Sequence, residues 1–175
     1  MMALLARSGG ARATDTFEVF PCAEPTDEGT YHVHFFVHGL SHRSQSAIQR
    51  AERLASGEAL RLMWDFQNEF DGNAFALRTV EAGPQDVFEV LGYCPRYLAV
   101  ELHRLIEKVG WSSAGWSAAQ VSVERVNPAP APVQFRILCN LTMLWPKGYR
   151  PFATDEFEPI AETESTTMPL SYAAV

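Results

Sequence analysis

Short runs in which apolar and polar residues alternate, each ended by a glycine, a proline or a polar turn, constrain the fold of this chain most strongly. Successive side chains of a strand point to opposite faces of a sheet, so such a run predicts a strand with one buried face. The run Ala59–Phe66 is an example. Its predicted buried face carries leucine and aromatic side chains, namely Leu60, Leu62, Trp64 and Phe66.

The sequence predicts about six short strands and one or two helices. The strands are expected over Tyr31–His38, Ala59–Phe66, Asn73–Val80, Val87–Tyr93, Gln120–Val126 and Phe135–Met143. A strong amphipathic helix is predicted from Pro95 onward, because apolar residues recur there every three or four positions while Glu101 and other charged residues are expected to face water. A weaker helix is predicted over Ile48–Leu54. Without a βαβ rhythm or an internal repeat, this spacing predicts a mainly β fold, either a small barrel or a sandwich.

The chain of 175 residues is long enough for one domain with a sizeable core. We expect an N-terminal lead-in over residues 1–29, a β domain over residues 30–145 and an acidic C-terminal tail over residues 146–175. The lead-in and the tail are punctuated by prolines and rich in small, polar and acidic residues, which is typical of connecting segments.

Composition narrows the classes of function. The formal net charge is −7, which argues against a non-specific coat for nucleic acid but leaves room for a small basic site. The three cysteines are far apart and form no CxxC pair, so we expect a reducing compartment. No run has the length of a signal-peptide core or of a membrane span. We therefore predict a cytoplasmic protein with no membrane contact.

Two segments carry the candidate site, the polar turn Asn68–Ala74 and the strand end Leu91–Arg96. Together they can place Phe70, Asp71 and Tyr93 around one pocket that grips a planar, hydroxyl-bearing ligand. Asp71 is expected either to hold the turn or to contact the ligand, because Asn and Asp side chains often bond nearby backbone groups. The ring of Phe70 is expected either to fill the mouth of the barrel or to stay exposed for stacking.

The sequence carries no signature of catalysis. It has no phosphate-binding GxxxxGK[ST] loop and no nucleophile with a local motif. His32 and His34 lie on one predicted strand face, yet no third metal ligand is evident. Cys94 precedes a helix start, where a thiol can become acidic, but burial is the more usual fate of such a cysteine. We therefore predict a non-catalytic protein with no metal and no cofactor.

Three motifs in a fixed order resemble those of HIRAN domains. They are Phe36–Leu40 (FVHGL), Asn68–Ala74 (NEFDGNA) and Leu91–Arg96 (LGYCPR), and the resemblance extends over about Tyr31 to Leu141. It implies a small OB-like β-barrel, a fold found both inside fork-remodelling Snf2-type ATPases and in stand-alone bacterial proteins. It further implies binding of single-stranded DNA and capture of its free 3′-hydroxyl end.

The resemblance also implies roles for individual residues. Phe70 matches the family's aromatic position, which would stack on a terminal base, and Asp71 would accept a hydrogen bond from the terminal sugar hydroxyl. Ser41 and His42 stand where the family has an arginine and a tyrosine, so the phosphate charge is missing at Ser41. Tyr93 stands at the family's histidine and can donate one hydrogen bond.

The basic residues near these motifs suggest where phosphate contacts lie. Arg96 directly follows the strand end that carries Tyr93, and Arg43 can replace the charge that Ser41 lacks. We predict a nucleic-acid-binding module that acts in DNA repair or fork processing beside an ATPase, helicase or nuclease partner. The alternative is a protein-interaction adaptor that has kept the barrel but lost DNA-end binding, which the acidic tail favours.

Overall fold

The structure is a computed structural model, and it describes residues 2–6, 19–20, 29–80, 87–109, 119–144 and 157–159. The strands in these ranges are β1 (Met2–Ala6), β2 (Val19–Phe20), β3 (Thr30–Phe36), β4 (Ala59–Trp64), β5 (Phe75–Thr79), β6 (Val90–Tyr93), β7 (Gln120–Val126), β8 (Ile137–Leu144) and β9 (Phe157–Pro159). The α-helices are α1 (Gln45–Glu52) and α2 (Arg96–Val109), and short 3-10 turns cover Leu40–His42 and Val133–Phe135.

Six of the strands form one antiparallel sheet in the order β3-β8-β7-β4-β5-β6. The sheet curls until its two edges meet, because His38, just after β3, pairs with Tyr93 of β6. Each of the two residues donates its backbone N–H to the carbonyl oxygen of the other at 2.9 Å. The prediction of a mainly β, OB-like barrel of about six strands with one or two helices is confirmed, and the described part contains two α-helices.

The closure of the sheet depends on a glycine. A Cβ atom built on Gly92 would lie 2.2 Å from the carbonyl oxygen of His38 and 2.7 Å from Cγ1 of Val37. Two backbones that approach this closely leave no room for a side chain. Gly92 is therefore the residue that allows β6 to meet the end of β3.

One hydrophobic core fills the barrel and extends under α2. Its fully buried members include Phe35, Phe75, Leu91 and Leu141 from the sheet, and the apolar face of the helix adds Leu98. The helical stripe predicted after Pro95 is thereby confirmed.

Two predicted details of the outer surfaces are wrong. Glu101 was expected to face water from α2, but its side chain is 1% exposed. Phe66 was expected on the buried face of β4, but the strand ends at Trp64 and Phe66 is 71% exposed. The chain turns away there because Asp65 pairs its N–H with the carbonyl of Ala74 and its carbonyl with the N–H of Asn68.

Two further local features concern strand β7 and the start of helix α1. The alternation of apolar and polar residues in the sequence of β7 slips at Arg125, and the structure has a β-bulge there, since the pairing of β7 with β8 shifts register between Val123 and Arg125. Helix α1 begins at Gln45, three residues before the predicted start at Ile48, because Ser44 caps it and accepts the N–H of Ala47 at 3.2 Å.

The predicted lead-in and tail also contain strands. In a separate three-stranded sheet, β1 pairs with β2 and with β9, all antiparallel. The domain boundaries proposed from the sequence remain predictions. No α-helix in the described ranges combines the length and apolarity that crossing a membrane requires.

Candidate functional site

A pocket of about 560 Å³ opens where the end of β3 meets β6. It brings together five of the six residues predicted to form the site: His42, Phe70, Asp71, Tyr93 and Arg96. Three separate parts of the chain supply them, namely the 3-10 turn after β3, the loop between β4 and β5, and the junction of β6 with α2. The closure of the barrel thus creates the site.

Ser41, the sixth predicted residue, lines a different groove. Gly39 has a left-handed φ of 77° that turns the chain from β3 into the 3-10 turn Leu40–His42. A 3-10 turn has three residues per turn, so adjacent side chains point in widely different directions. His42 and Arg43 consequently line the pocket, while Ser41 lies on the other side of the turn.

The loop carrying Phe70 and Asp71 is held from within. Oδ1 of Asn68 accepts the backbone N–H groups of both residues at 3.0 Å. Oδ1 of Asp71 accepts the N–H of Asn73 at 2.9 Å, so Asp71 holds the turn as well as lining the pocket. The ring of Phe70 is 83% exposed, so of the two positions that the sequence left open, in the mouth of the barrel or exposed, the structure has the exposed one.

Tyr93 is anchored by a carboxylate behind the pocket wall. Its hydroxyl lies 2.9 Å from Oδ2 of Asp65, and an ionised carboxylate only accepts, so Tyr93 is the donor. Burial raises the pKa of Tyr93, the hydrogen bond and charge of Asp65 raise it further, and Arg43 opposes them. The family resemblance implied that the Tyr93 hydroxyl donates to a ligand, but in the structure this hydroxyl donates to Asp65.

Arg43 stacks over the ring of this tyrosine. Its guanidinium carbon lies 5.2 Å from the centre of the Tyr93 ring, within the range of a cation–π contact. Its Nε is buried and has no hydrogen-bond partner in the described part of the chain. With Arg96 nearby, the pocket holds two guanidinium groups against the one carboxylate of Asp71. The lining of the pocket thus contains more cationic than anionic side chains, in a chain whose net charge is −7.

His103 of α2 supports the loop from behind. Its ring centre lies 5.0 Å from those of Trp64 and Phe75, and Nε1 of Trp64 donates to the carbonyl of Gly72 at 3.1 Å. Burial lowers the pKa of His103, which the charges of Glu107 and Asp71 counteract. The lowered pKa favours the neutral form of the imidazole, which packs against the aromatic rings of Trp64 and Phe75.

The other candidates from the sequence have local partners. His32 Nδ1 lies 3.1 Å from Oγ1 of Thr142, and His34 Nε2 lies 2.7 Å from a carboxylate oxygen of Glu124. Within the described ranges, no group of three or more His, Cys, Asp or Glu side chains is arranged to hold a metal ion. Cys94 is buried beside the pocket. Trp111 and Trp116, which their Ser/Gly-rich segment suggests as a rim for bases or for a partner, lie outside the described residues.

The groove that contains Ser41 is larger and mainly apolar. It has a volume of about 730 Å³ and lies between α1 and the segment that joins β7 to β8. Leu40, Ile48 and Val126 contribute to its walls. At its edge, a guanidinium nitrogen of Arg136 lies 3.8 Å from a carboxylate oxygen of Glu52.

Comparison with known proteins yields one family match and two similar structures. The family model of the HIRAN domain matches residues 30–142. A structure of a protein from Lactobacillus plantarum is 17% identical, with a TM-score of 0.45, and the match covers 66% of this chain and 99% of that one. The HIRAN domain of human HLTF is 18% identical, with a TM-score of 0.38, and the match covers 66% and 74% respectively. No curated protein matches the chain.

Proposed function

Since the chain belongs to the HIRAN domain family, whose members are generally non-catalytic modules known for nucleic-acid binding, we propose that its pocket binds the free 3′ end of single-stranded DNA. The observation that supports this most directly is the meeting of an exposed aromatic ring, a carboxylate and two guanidinium groups in one pocket of about 560 Å³. Stacking surface, hydroxyl acceptor and phosphate donors are the three contacts that a terminal nucleotide needs.

Phe70 is proposed to stack on the terminal base. Its ring is 83% exposed, while its backbone N–H is fixed by Asn68, so the ring is presented on a held loop. Stacking of a base on an aromatic side chain contributes about 1–3 kcal/mol and accepts any base, because every base has a π face. The pocket would therefore recognise an end without choosing a sequence.

Asp71 is proposed to accept the hydrogen bond of the terminal sugar hydroxyl. One of its oxygens already accepts the N–H of Asn73, which fixes the direction of the carboxylate. A carboxylate has about four acceptor positions, so capacity remains for a ligand. The same group would repel a terminal phosphate, and this would favour a free hydroxyl over a blocked end.

Arg43 and Arg96 are proposed to contact the phosphate backbone next to the terminal nucleotide. Arg43 supplies, two residues further along the chain, the charge that Ser41 does not carry. Its guanidinium charge suits an anionic oxygen, because hydrogen bonds between a charged donor and a phosphate are stronger than neutral ones.

The test is a titration of labelled single-stranded oligonucleotides that end in either a free 3′-hydroxyl or a 3′-phosphate, at low and at moderate salt. We expect tighter binding of the free hydroxyl at both salt concentrations. Equal binding of the two ends, falling steeply with salt, would reduce the pocket to a charged surface. Absence of binding to both would contradict the proposal.

We further propose that such binding serves DNA repair or fork processing in company with an ATPase, helicase or nuclease, because the sequence carries no ATP-binding loop of its own.

A protein-interaction adaptor is the second candidate, and the apolar groove beside α1 favours it. A partner that remains bound at high salt, together with no DNA affinity at low salt, would support the adaptor.

A further inference from the structure

We propose that Asp65 is a positioning residue that turns the Tyr93 hydroxyl into a hydrogen-bond acceptor toward the pocket, so that the pocket selects strand ends carrying a hydroxyl donor. This inference rests on the proposed function and adds a residue and a rule of selection to it. Asp65 is not part of the pocket lining, and it is not among the site residues that the sequence and the family resemblance predict.

The direction of the hydrogen bond follows from the two groups. A phenol has one proton and two lone pairs, whereas an ionised carboxylate has only lone pairs. The 2.9 Å contact between Tyr93 and Asp65 can therefore form only if the phenol proton points at Asp65. What Tyr93 presents elsewhere is its oxygen lone pairs.

The second neighbour of Tyr93 leads to the same conclusion. Arg43 stacks over the ring, and a guanidinium donates but never accepts. The phenol has a single proton, which Asp65 accepts and Arg43 cannot, so the hydroxyl cannot turn toward the ligand as a donor without losing Asp65. A ligand that approaches Tyr93 has to bring a donor of its own, and the terminal sugar hydroxyl has one.

Asp65 also fixes the other wall of the pocket. The same oxygen that accepts from Tyr93 accepts Nδ2 of Asn68 at 3.1 Å, and Oδ1 of Asn68 holds the N–H groups of Phe70 and Asp71. One carboxylate oxygen thus sets the distance between the tyrosine on β6 and the loop after β4. Tyr93 and Asp71 then form a pair of hydrogen-bond acceptors. Such a pair binds a strand end with a hydroxyl group more tightly than a strand end that has no hydrogen-bond donor.

The test compares oligonucleotides that end in a 3′-hydroxyl, a 3′-deoxy or a 3′-O-methyl group. The variant is Asp65→Ala, which removes the oxygen that accepts from both Tyr93 and Asn68 and so leaves the phenol proton free to turn toward the pocket. We expect the preference for the hydroxyl over the other two ends to fall roughly three- to tenfold, the range of one neutral hydrogen bond. Glu124→Ala is the matched control, a hydrogen-bonded carboxylate outside the pocket, and should leave the preference unchanged.

A double-variant comparison separates positioning from general damage. Tyr93→Phe should lose the same preference, and Asp65→Ala should cost clearly less preference in the Tyr93→Phe background than it costs alone, because both changes act through one hydroxyl. On the free protein, Asp65→Ala should lower the pKa of Tyr93, followed by the ring carbon signal in NMR and assigned with Tyr93→Phe.

The outcomes distinguish this inference from the proposed function. If the unaltered protein shows no binding to any oligonucleotide, the proposed function fails. If it binds and prefers the hydroxyl, but Asp65→Ala leaves that preference unchanged, the proposed function stands and the role of Asp65 is refuted. A loss of preference from Asp65→Ala that is equally large in the Tyr93→Phe background would also refute it, because the loss would not pass through Tyr93.

Discussion

Truncation of Phe70 tests the pocket most sharply, because the ring can be removed without opening a cavity. The side chain is 83% exposed, so Phe70→Ala should change the free energy of unfolding by no more than about 0.5 kcal/mol. The backbone contact of residue 70 with Asn68 does not depend on the ring and survives the change. Any effect on binding can then be assigned to the lost stacking surface.

The expected loss follows from the stacking energy. About 1–3 kcal/mol per stacked base corresponds to a rise of roughly 5- to 150-fold in the dissociation constant for an oligonucleotide with a free 3′-hydroxyl. Fluorescence anisotropy with a labelled strand measures the dissociation constant, and thermal unfolding of the same sample confirms the fold. The choice of base should change the loss only modestly, because stacking tolerates all bases.

Phe66→Ala is the matched control. Phe66 is on the same loop and is 71% exposed, but it packs edge-on to Trp64 at 6.2 Å between ring centres and does not line the pocket. It should leave the dissociation constant within about twofold, a change of roughly 0.4 kcal/mol. Equal losses from the two variants would show that the loop presents a general apolar surface, and no loss from Phe70→Ala would refute stacking.

Three further outcomes are expected. Asp71→Asn keeps an acceptor for Asn73 but removes the charge, so affinity for a free hydroxyl end should fall about 10-fold or more in the oligonucleotide titration, while a 3′-phosphate end should be bound no more weakly. Arg43→Ala should weaken binding and reduce the slope of log affinity against log salt by about 0.7, the value for one phosphate contact with a single strand, whereas an unchanged slope would remove Arg43 from the phosphate path. Gly92→Ala should destabilise the fold by about 3 kcal/mol or more in urea unfolding, since its Cβ would meet the His38 carbonyl at 2.2 Å, and Gly72→Ala, with open space around it, serves as the control.

The sequence was sufficient for the barrel because alternation reports which face of a strand is buried. It was less informative about where strands end. The apolar pattern of β4 continues to Phe66, but the hydrogen bonds of Asp65 with Ala74 and Asn68 turn the chain before that residue. Pairings made across a loop leave no trace in the pattern of one strand. Similarly, no local rule shows that a charged residue such as Glu101 lies on the buried side of α2.

The sequence predicted most of the residues that line the pocket, but not the residue that holds them in place. Phe70 and Asp71 lie in a polar turn that also carries an aromatic ring, and this unusual composition marks them as site candidates. Both residues line the pocket. Ser41 and His42 are adjacent in sequence, and only the 3-10 turn separates them into different grooves. Asp65 could have been noticed as the last polar residue before the turn, but its partner Tyr93 is 28 positions away.

The charge distribution bears on how such a pocket would engage a strand. A net charge of −7 repels a polyanion at long range, while Arg43 and Arg96 attract it only near the pocket. At physiological salt the screening length is about 8 Å, so the distant repulsion is largely screened and the close contacts persist. A protein that tracked along a strand would need a continuous basic groove and would show a steep dependence on salt. Two local guanidinium groups beside a stacking ring and a carboxylate instead favour recognition of a single nucleotide at an end, with a shallow dependence on salt.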